Sequence, residues 1–381
     1  MRTLRMIGAC SLIAALLCLP GCGSARDIQN LAYVTAIGAD YKNGKYVSYV
    51  QVLNFSNIAH SENAQLGTPV PIWIGVGDGQ TFAGSLTDIN TTSQLPLFWG
   101  HLKVVIVTEN LLKHGVREIC NTLSRYREVR YNTLVYGTKE KMMDILTQTS
   151  MFNLSPLDTI MFTGAQLSSQ KAYLLPVNGN HTVANLNEPG SPGYIPSIAL
   201  ARNNWHEDKK SKSMFDLSGA YFFQQDRVKS WMSLKELKGI RWSKSKLAQT
   251  PLQVPIGGTL NAVIMMKHPH MSIKPVVDKS GAYFDLAVKV SGIVYEQTRE
   301  IAIRELENKA AAVIENEIRA TFRNGLAKRS DPFQLEEALY RKHPAVFKRL
   351  SSGDPYFLEA KSLRNVNVSV FVTSTGRLKG Y

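Results

Sequence analysis

Ala282-Tyr-Phe-Asp-Leu-Ala-Val-Lys-Val-Ser-Gly-Ile-Val-Tyr295 runs directly into Glu296-Gln-Thr-Arg-Glu-Ile-Ala-Ile-Arg-Glu-Leu-Glu-Asn-Lys-Ala-Ala-Ala-Val-Ile-Glu-Asn-Glu-Ile-Arg-Ala-Thr-Phe-Arg-Asn324. The hydrophobic period changes at the join. Phe284, Leu286, Val288 and Val290 alternate, which places them on one face of a strand. Ile303, Leu306, Ala310, Val313-Ile314, Ile318 and Phe322 recur at helical spacing, with Glu300, Arg304, Glu307 and Arg319 on the other faces. The spacing predicts a helix over 296–324, about 43 Å long at 1.5 Å per residue, with Gly325 placed to end it. Its apolar stripe reads as core. Asp331-Pro332 is an opening for a further helix, and Val366 to Thr373 alternates as a closing strand.

Working outward, Phe215–Phe223 and Val228–Met232 flank Gln224-Gln-Asp-Arg227 as a hairpin, and Leu234–Ile240 reads as a short helix. Gly258–Met266, Met271–Val277 and Ala282–Tyr295 read as successive antiparallel strands. Two helices laid between strands of one such sheet make an α+β unit. Further upstream the rhythm differs. Leu31–Gly38 and Lys45–Asn54 are strands around the Asn43-Gly44 turn, and Val70–Val76 is a third. Leu102–Thr108 is continuously apolar, which suits a sheet covered on both faces. Asn110 is placed to cap a helix over Leu111–Arg125. Tyr131–Tyr136 is the next strand, Lys139–Gln148 the next helix, and Pro156 opens another running to about Ser168. This alternation indicates a mixed α/β part. It breaks over the Pro- and Gly-rich 176–196, and after a strand at Ile195–Arg202 the polar run 203–212 reads as a linker. The expected organisation is therefore a leader over 1–21, an N-terminal mixed α/β domain over 22–202, a linker over 203–212, and a C-terminal α+β domain over 213–381. The fold class is α+β, with mixed sheets flanked by helices in the first part and an antiparallel sheet packed with a long helix in the second.

The leader is read from Met1-Arg-Thr-Leu-Arg5, a positive start, followed by a 14-residue uncharged run from Met6 to Leu19. That run suits a secretory signal and falls short of the roughly 20 residues of a membrane-spanning helix. It closes on Leu19-Pro20-Gly21-Cys22, the pattern of a bacterial lipobox, with cleavage between Gly21 and Cys22 and acylation of the Cys22 thiol. Of four cysteines, Cys10 and Cys18 then leave with the leader and Cys22 is blocked. Only Cys120 remains, so no internal disulfide is available. It sits in a helical apolar pattern and reads as a small buried hydrophobe. Net charge is +14, or +12 without Arg2 and Arg5, and 202–246 holds 11 Lys/Arg against 5 Asp/Glu. Such a charge on an exported, anchored domain suits a solvated face or an anionic bilayer. Export argues against nucleic acid as a partner.

Catalytic patterns are missing: there is no P-loop, no G-x-S-x-G and no H-E-x-x-H. Gly75-Val-Gly77-Asp-Gly79 lacks the third glycine of a dinucleotide loop, since Gln80 and Phe82 stand at the required positions. Met265-Met-Lys-His-Pro-His270-Met271 offers thioether and imidazole groups that suit Cu(I). The simpler reading is a turn at Pro269-His270 between strands whose methionines fill the core. Glu336-Glu337 reads as solvated helix surface. No cofactor or metal is expected.

Three stretches carry a family likeness. They are Arg26-Asp27-Ile-Gln-Asn-Leu31-Ala-Tyr-Val-Thr-Ala-Ile-Gly38-Ala-Asp40; Phe98-Trp-Gly-His101-Leu-Lys103-Val-Val-Ile-Val with Glu109-Asn-Leu-Leu-Lys-His-Gly115; and Val290-Ser-Gly292-Ile-Val-Tyr-Glu296 with Asp331-Pro-Phe and Tyr340-Arg-Lys-His-Pro344. Together with the lipobox, the chain resembles the Ger(x)C family, the lipoprotein C subunits of nutrient germinant receptors in spore-forming Firmicutes. Gly23 and Ala36 stand where the family often has Trp and Gly. The resemblance implies a non-enzymatic subunit, anchored through Cys22 on the outer face of the spore inner membrane beside membrane-embedded A and B subunits. It attaches no nutrient-contact residue to a motif found in this chain, and any nutrient contact is left open as indirect. A second reading is the lipid-anchored solute-binding protein of a transporter, which calls for two βα-repeating lobes around a cleft.

Overall fold

The computed structural model describes residues 31–53, 71–130, 132–163, 174–190, 193–224, 226–256, 259–279, 281–298 and 301–374. The leader, Gly21, Cys22 and residues 54–70 lie outside the described residues.

The first sheet opens with β1 (Ala32–Lys42) and β2 (Lys45–Leu53), paired antiparallel. Asn43 and Gly44, at φ +52° and +77°, supply the left-handed positions that a two-residue hairpin turn requires. β3 (Trp73–Gly79) extends the pair, and α1 (Phe82–Thr92) follows, capped by Thr81, whose hydroxyl accepts from the Gly84 N–H. After the two-residue β4 (Leu97–Phe98) comes β5 (Val104–Thr108), parallel to β1 and buried throughout. Val104 and Ile106 face one core, and Val105 and Val107 the other, the two-sided cover its apolar run required.

The helix expected over Leu111–Arg125 is two. α2 (Glu109–His114) is capped by Thr108 rather than Asn110, ends at Gly115 with φ +136°, and is followed by α3 (Arg117–Arg125). β6 (Leu134–Thr138), α4 (Met142–Leu146), β7 (Val177–Asn178) and α5 (Gly179–Asn187) come next. Among the described residues Pro156 opens only a single 3-10 turn, Pro156–Asp158, and the end of the helix expected to about Ser168 lies outside them.

Residues 203–212 are not a linker. They are the end of a long hairpin between β8 (Tyr194–Glu207) and β9 (Lys210–Gln224), with Trp205, His206 and Glu207 opposite Lys212, Ser211 and Lys210. The polar composition comes from exposure, because the hairpin end reaches beyond the sheet with both faces in solvent. β9 and β10 (Arg227–Ser233), assigned from sequence to the second domain, therefore complete the first sheet. Its order is β10-β9-β8-β6-β5-β1-β2-β3, with β4 beside β1 and β7 beside β6.

The second sheet runs β11 (Gln249–Ile256), β12 (Thr259–Asp278), β13 (Gly281–Gln297) and β14 (Leu363–Ser374). The first three are antiparallel, while β14 lies parallel to β13. A parallel neighbour needs a crossover. The crossover is α6 (Ile303–Ala327), α7 (Leu335–Lys342) and α8 (Pro344–Ser351). Leu306, Ala310, Ile314, Ile318 and Phe322 of α6 pack with Leu252, Ile264, Leu286 and Val290 of the sheet. The chain is α+β, as its periodicities indicate.

Three boundaries differ from expectation. β13 keeps pairing with β12 through Glu296 and Gln297, so α6 starts at Ile303 rather than at 296. α6 passes Gly325, which is buried against Pro332 and Ser330, and ends at Ala327. The turn expected at Pro269-His270 is a bulge within one strand. His268 takes φ +46° and the register shifts between Lys267 and His270.

Between the sheets lies a 3-10 segment, Lys238–Ser243, in place of the helix expected at Leu234–Ile240. Leu237 and Ile240 enter the first core and Trp242 the second. Gly239 lets this segment lie directly on α6: its N–H donates to Thr321 Oγ1 (2.9 Å), and a Cβ there would sit 2.5 Å from the Glu317 carbonyl oxygen. The neighbour is backbone and has nowhere to move. Gly239→Ala should therefore lower stability by about 1–3 kcal/mol, seen as a reduced midpoint in urea unfolding.

Candidate functional site

α3 and α5 lie over one face of the first sheet and leave a cavity of about 620 Å³ between them. Val105, Val107 and Val135 form its floor, Ile119 and Leu123 of α3 one wall, and Val183 of α5 another. The amphipathic spacing of α3 turns Ile119 inward, while the Gly179 N–H donates to the Thr133 carbonyl (2.7 Å) and fixes the start of α5. Thr133, Asn180 and Thr182 are the polar groups within, and Arg127 and Arg130 stand at the edge. Size and lining suit a small, largely apolar molecule. Cys120 borders this cavity, half-buried. Burial pushes its thiol up to about 11, so at neutral pH it is a neutral thiol and a weak nucleophile.

The other sequence candidates separate. Cys22 and Gly21 lie outside the described residues. Gly75–Gly79 is the body of β3, packed on α1, and not a phosphate loop. Met266 is buried in the second core and Met265 is buried as its neighbour on the strand, while His268 and His270 are exposed, so the four do not converge. Among the described residues no three His, Cys, Asp or Glu side chains form a group that could hold a metal ion.

Two buried charged groups escaped the sequence reading. The first is Arg241, 1% exposed, and Glu317, 9% exposed. Arg241 Nη2 donates to both Glu317 oxygens (2.7 and 2.8 Å), Nη1 donates to Thr250 Oγ1 and the Pro251 carbonyl, and the Trp242 indole N–H donates to Glu317 Oε2 (2.8 Å). This network joins the segment between the sheets to α6 and β11. The second is Asp331 and Glu336. Glu336 is not solvated surface but buried; its neighbour Glu337 does reach out, to Arg341. Asp331 accepts from the backbone N–H groups of Phe333 (3.2 Å) and Glu336 (2.9 Å), and Glu336 Oε1 accepts from Phe357 N–H (3.1 Å). Burial pushes Asp331 up to about 7, and burial followed by the Asp331 charge pushes Glu336 up to about 9. The backbone donors around Asp331 favour its carboxylate, which leaves the proton on Glu336. Both border a crevice of about 370 Å³, where Phe223 of the first sheet meets Arg329, Phe347 and Tyr356 of the second part. The sequence signal for it is Asp331-Pro332 followed by Glu five residues on, a pattern that helix capping also explains.

A mixed sheet followed by a four-stranded sheet with one long helix occurs elsewhere. Residues 24–200 match the model of the spore germination protein N-terminal domain, and residues 218–376 match that of the spore germination B3/GerAC-like C-terminal domain. The chain belongs to the Ger(x)C family of spore germination proteins. Among its Ger(x)C relatives, spore germination protein KC of Bacillus subtilis (strain 168) is 22% identical over 96% of this chain and 94% of its own length. Spore germination protein B3 of the same organism is 20% identical over 88% of this chain and 89% of its own length. In fold, the chain is similar to the crystal structure of the GerBC protein, with a TM-score of 0.54 and 18% identity, covering 91% of this chain and 100% of that one. The junction between the two Ger(x)C models, 200–218, falls on the β8–β9 hairpin, whose strands lie in a single sheet.

Proposed function

We propose that the chain is the lipid-anchored, non-enzymatic C subunit of a spore nutrient germinant receptor, acting with membrane-embedded A and B subunits to trigger germination. The observation that carries this reading is the order of its parts. The Ger(x)C match begins at residue 24, directly after the Gly21-Cys22 lipobox, and continues in sequence to residue 376. Among the described residues no helix is long and apolar enough to cross a membrane, and in this reading attachment rests on Cys22. Two or three acyl chains there hold a domain stably where a single chain binds marginally. Held on the outer face of the spore inner membrane, the domain meets its membrane partners at a high effective concentration. The solute-binding alternative is not favoured, because the second part is one four-stranded sheet with a long helix and not a second βα-repeating lobe.

Two strains test the proposal against the parent, a deletion and Cys22→Ala, with release of dipicolinic acid followed on a panel of nutrients and on a non-nutrient trigger. The deletion should lose the response to some nutrients and keep the non-nutrient one. Cys22→Ala should move the protein from the spore membrane fraction to the soluble one and weaken the same responses. Equal germination of all strains, after redundant receptors are removed, would rule the receptor role out. Retention of Cys22→Ala in membranes washed at high salt, which strips electrostatic attachment, would rule out the anchor.

A further inference from the structure

A second cleft, of about 600 Å³, opens beside the start of β1 and is lined in part by His101, Lys103, Arg130, Asn132, Asn178 and Lys246. Its three permanent cations come from distant segments: the residue before β5, the turn leading to β6, and the loop before β11. All three are exposed, and among the described residues none has a carboxylate partner. Among the described residues no Asp or Glu lines the cleft. Other cations here do find carboxylates, such as Arg202 with Glu140, Arg364 with Asp285 and Lys328 with Glu236. The His101 imidazole has its pKa lowered, first by burial and then by Arg130 and Lys103, which shows that both cations act on the same small space. Asn132 and Asn178 add side-chain amide donors.

The position of the cleft points to its occupant. The His101 ring stands edge-on to Tyr33, with centroids 5.0 Å apart, and the Lys103 N–H donates to the Thr35 carbonyl (2.9 Å). The cleft thus lies where the chain from Cys22 enters the fold. The ten residues from Cys22 to Ala32 span at most about 36 Å even when fully extended. We propose that this cleft seats the phosphate of an anionic phospholipid headgroup in the membrane that carries the chain. The inference rests on the anchored reading and extends it. Acyl chains fix the distance from the bilayer, and the cleft fixes which face of the domain meets it.

The test uses the mature chain, 22–381, carrying Cys22→Ala throughout, so that the result is independent of acylation, which fractionation tests separately. Flotation is measured with phosphatidylcholine vesicles with and without phosphatidylglycerol. The parent should float only with the anionic vesicles. The triple variant Lys103→Ala, Arg130→Ala, Lys246→Ala should lose affinity roughly a hundredfold, as three surface cations imply. A control that removes the same charge from the hairpin end, Lys209→Ala, Lys210→Ala, Lys212→Ala, should bind as the parent does. Single Lys103→Gln and Lys246→Gln variants, which keep a polar side chain without the charge, should each weaken binding several-fold and melt with the parent, so a folding defect in the triple variant cannot mimic the result. Equal loss in the triple and the control would mean diffuse attraction and overturn the seat. Absence of parent binding to anionic vesicles would overturn it as well. So would inorganic phosphate raising the melting temperature of a parent that ignores vesicles, since the occupant would then be a free anion.

Discussion

Glu317→Ala should cost about 3–5 kcal/mol and lower the urea midpoint more than any other single change considered. Glu317 accepts from Arg241 through both carboxylate oxygens, and it also receives the Trp242 indole N–H and an ion pair from Lys238 at 3.3 Å. Removing it leaves a guanidinium that is 1% exposed without its counter-charge, and an indole donor without its acceptor. The burial that makes the pair costly to assemble is the reason it is costly to break. The loss should fall on both cores at once, because Leu237 and Ile240 seat in the first and Trp242 in the second. Tryptophan fluorescence and far-ultraviolet circular dichroism should therefore still report one transition in the variant. Removing both charges together, as Arg241→Met with Glu317→Leu, should recover part of the loss. A cost under about 1 kcal/mol for Glu317→Ala would mean that water reaches Arg241 and that the pair behaves as a surface one.

The second large effect is on pH. Glu336 is pushed from its ordinary 4.5 up to about 9, and its partner Asp331 up to about 7, so the folded chain holds a proton that the unfolded chain has released. Folding stability must then fall as pH rises through that window, by up to about 1.4 kcal/mol per pH unit for one proton. Between pH 5.5 and 8.5 the melting temperature of the parent should decline. The carboxylates paired with arginine, Glu140 with Arg202 and Asp285 with Arg364, are shifted down instead and act below that range. Glu336→Gln keeps an acceptor for the Phe357 N–H and carries no titrating proton. Its melting temperature should keep only the shallower fall that Asp331 contributes below about pH 7, run nearly flat above it, and exceed that of the parent at the alkaline end. A variant that follows the slope of the parent would place the proton elsewhere.

Much of this architecture is legible in the chain because one period changes cleanly to another. The continuous apolar run at Leu102–Thr108, the Asn43-Gly44 turn and the stripe from Leu306 to Phe322 each report burial through local spacing alone. The errors share a cause. At 203–212 a solvated hairpin end has the composition of a linker, and only the pairing of Trp205 with Lys212 tells them apart. At Lys267–His270 a bulge uses the residues of a turn. Arg241, Glu317, Asp331 and Glu336 were invisible because a buried charge is defined by partners far along the chain: Arg241 and Glu317 are 76 positions apart. The cavity under α3 and α5 was missed for the same reason, since its walls are ordinary core residues contributed by several elements.

The β8–β9 hairpin has a consequence for how the chain must be made. Synthesised from its N-terminus, the chain delivers β1 to β6 early, but β8 touches β6 at only one ladder position, Gly137 opposite Ser197, and leans instead on β9 along most of its length. Until residue 233 has emerged, the nascent sheet therefore carries an unfinished edge with free N–H and C=O groups, the kind of surface on which chains aggregate. The two blocks recognised in the family are consequently not two bodies that mature one after the other. A ribosome that stalls between them leaves the first block open-sided, and only the opening strands of the second, through residue 233, let its sheet close.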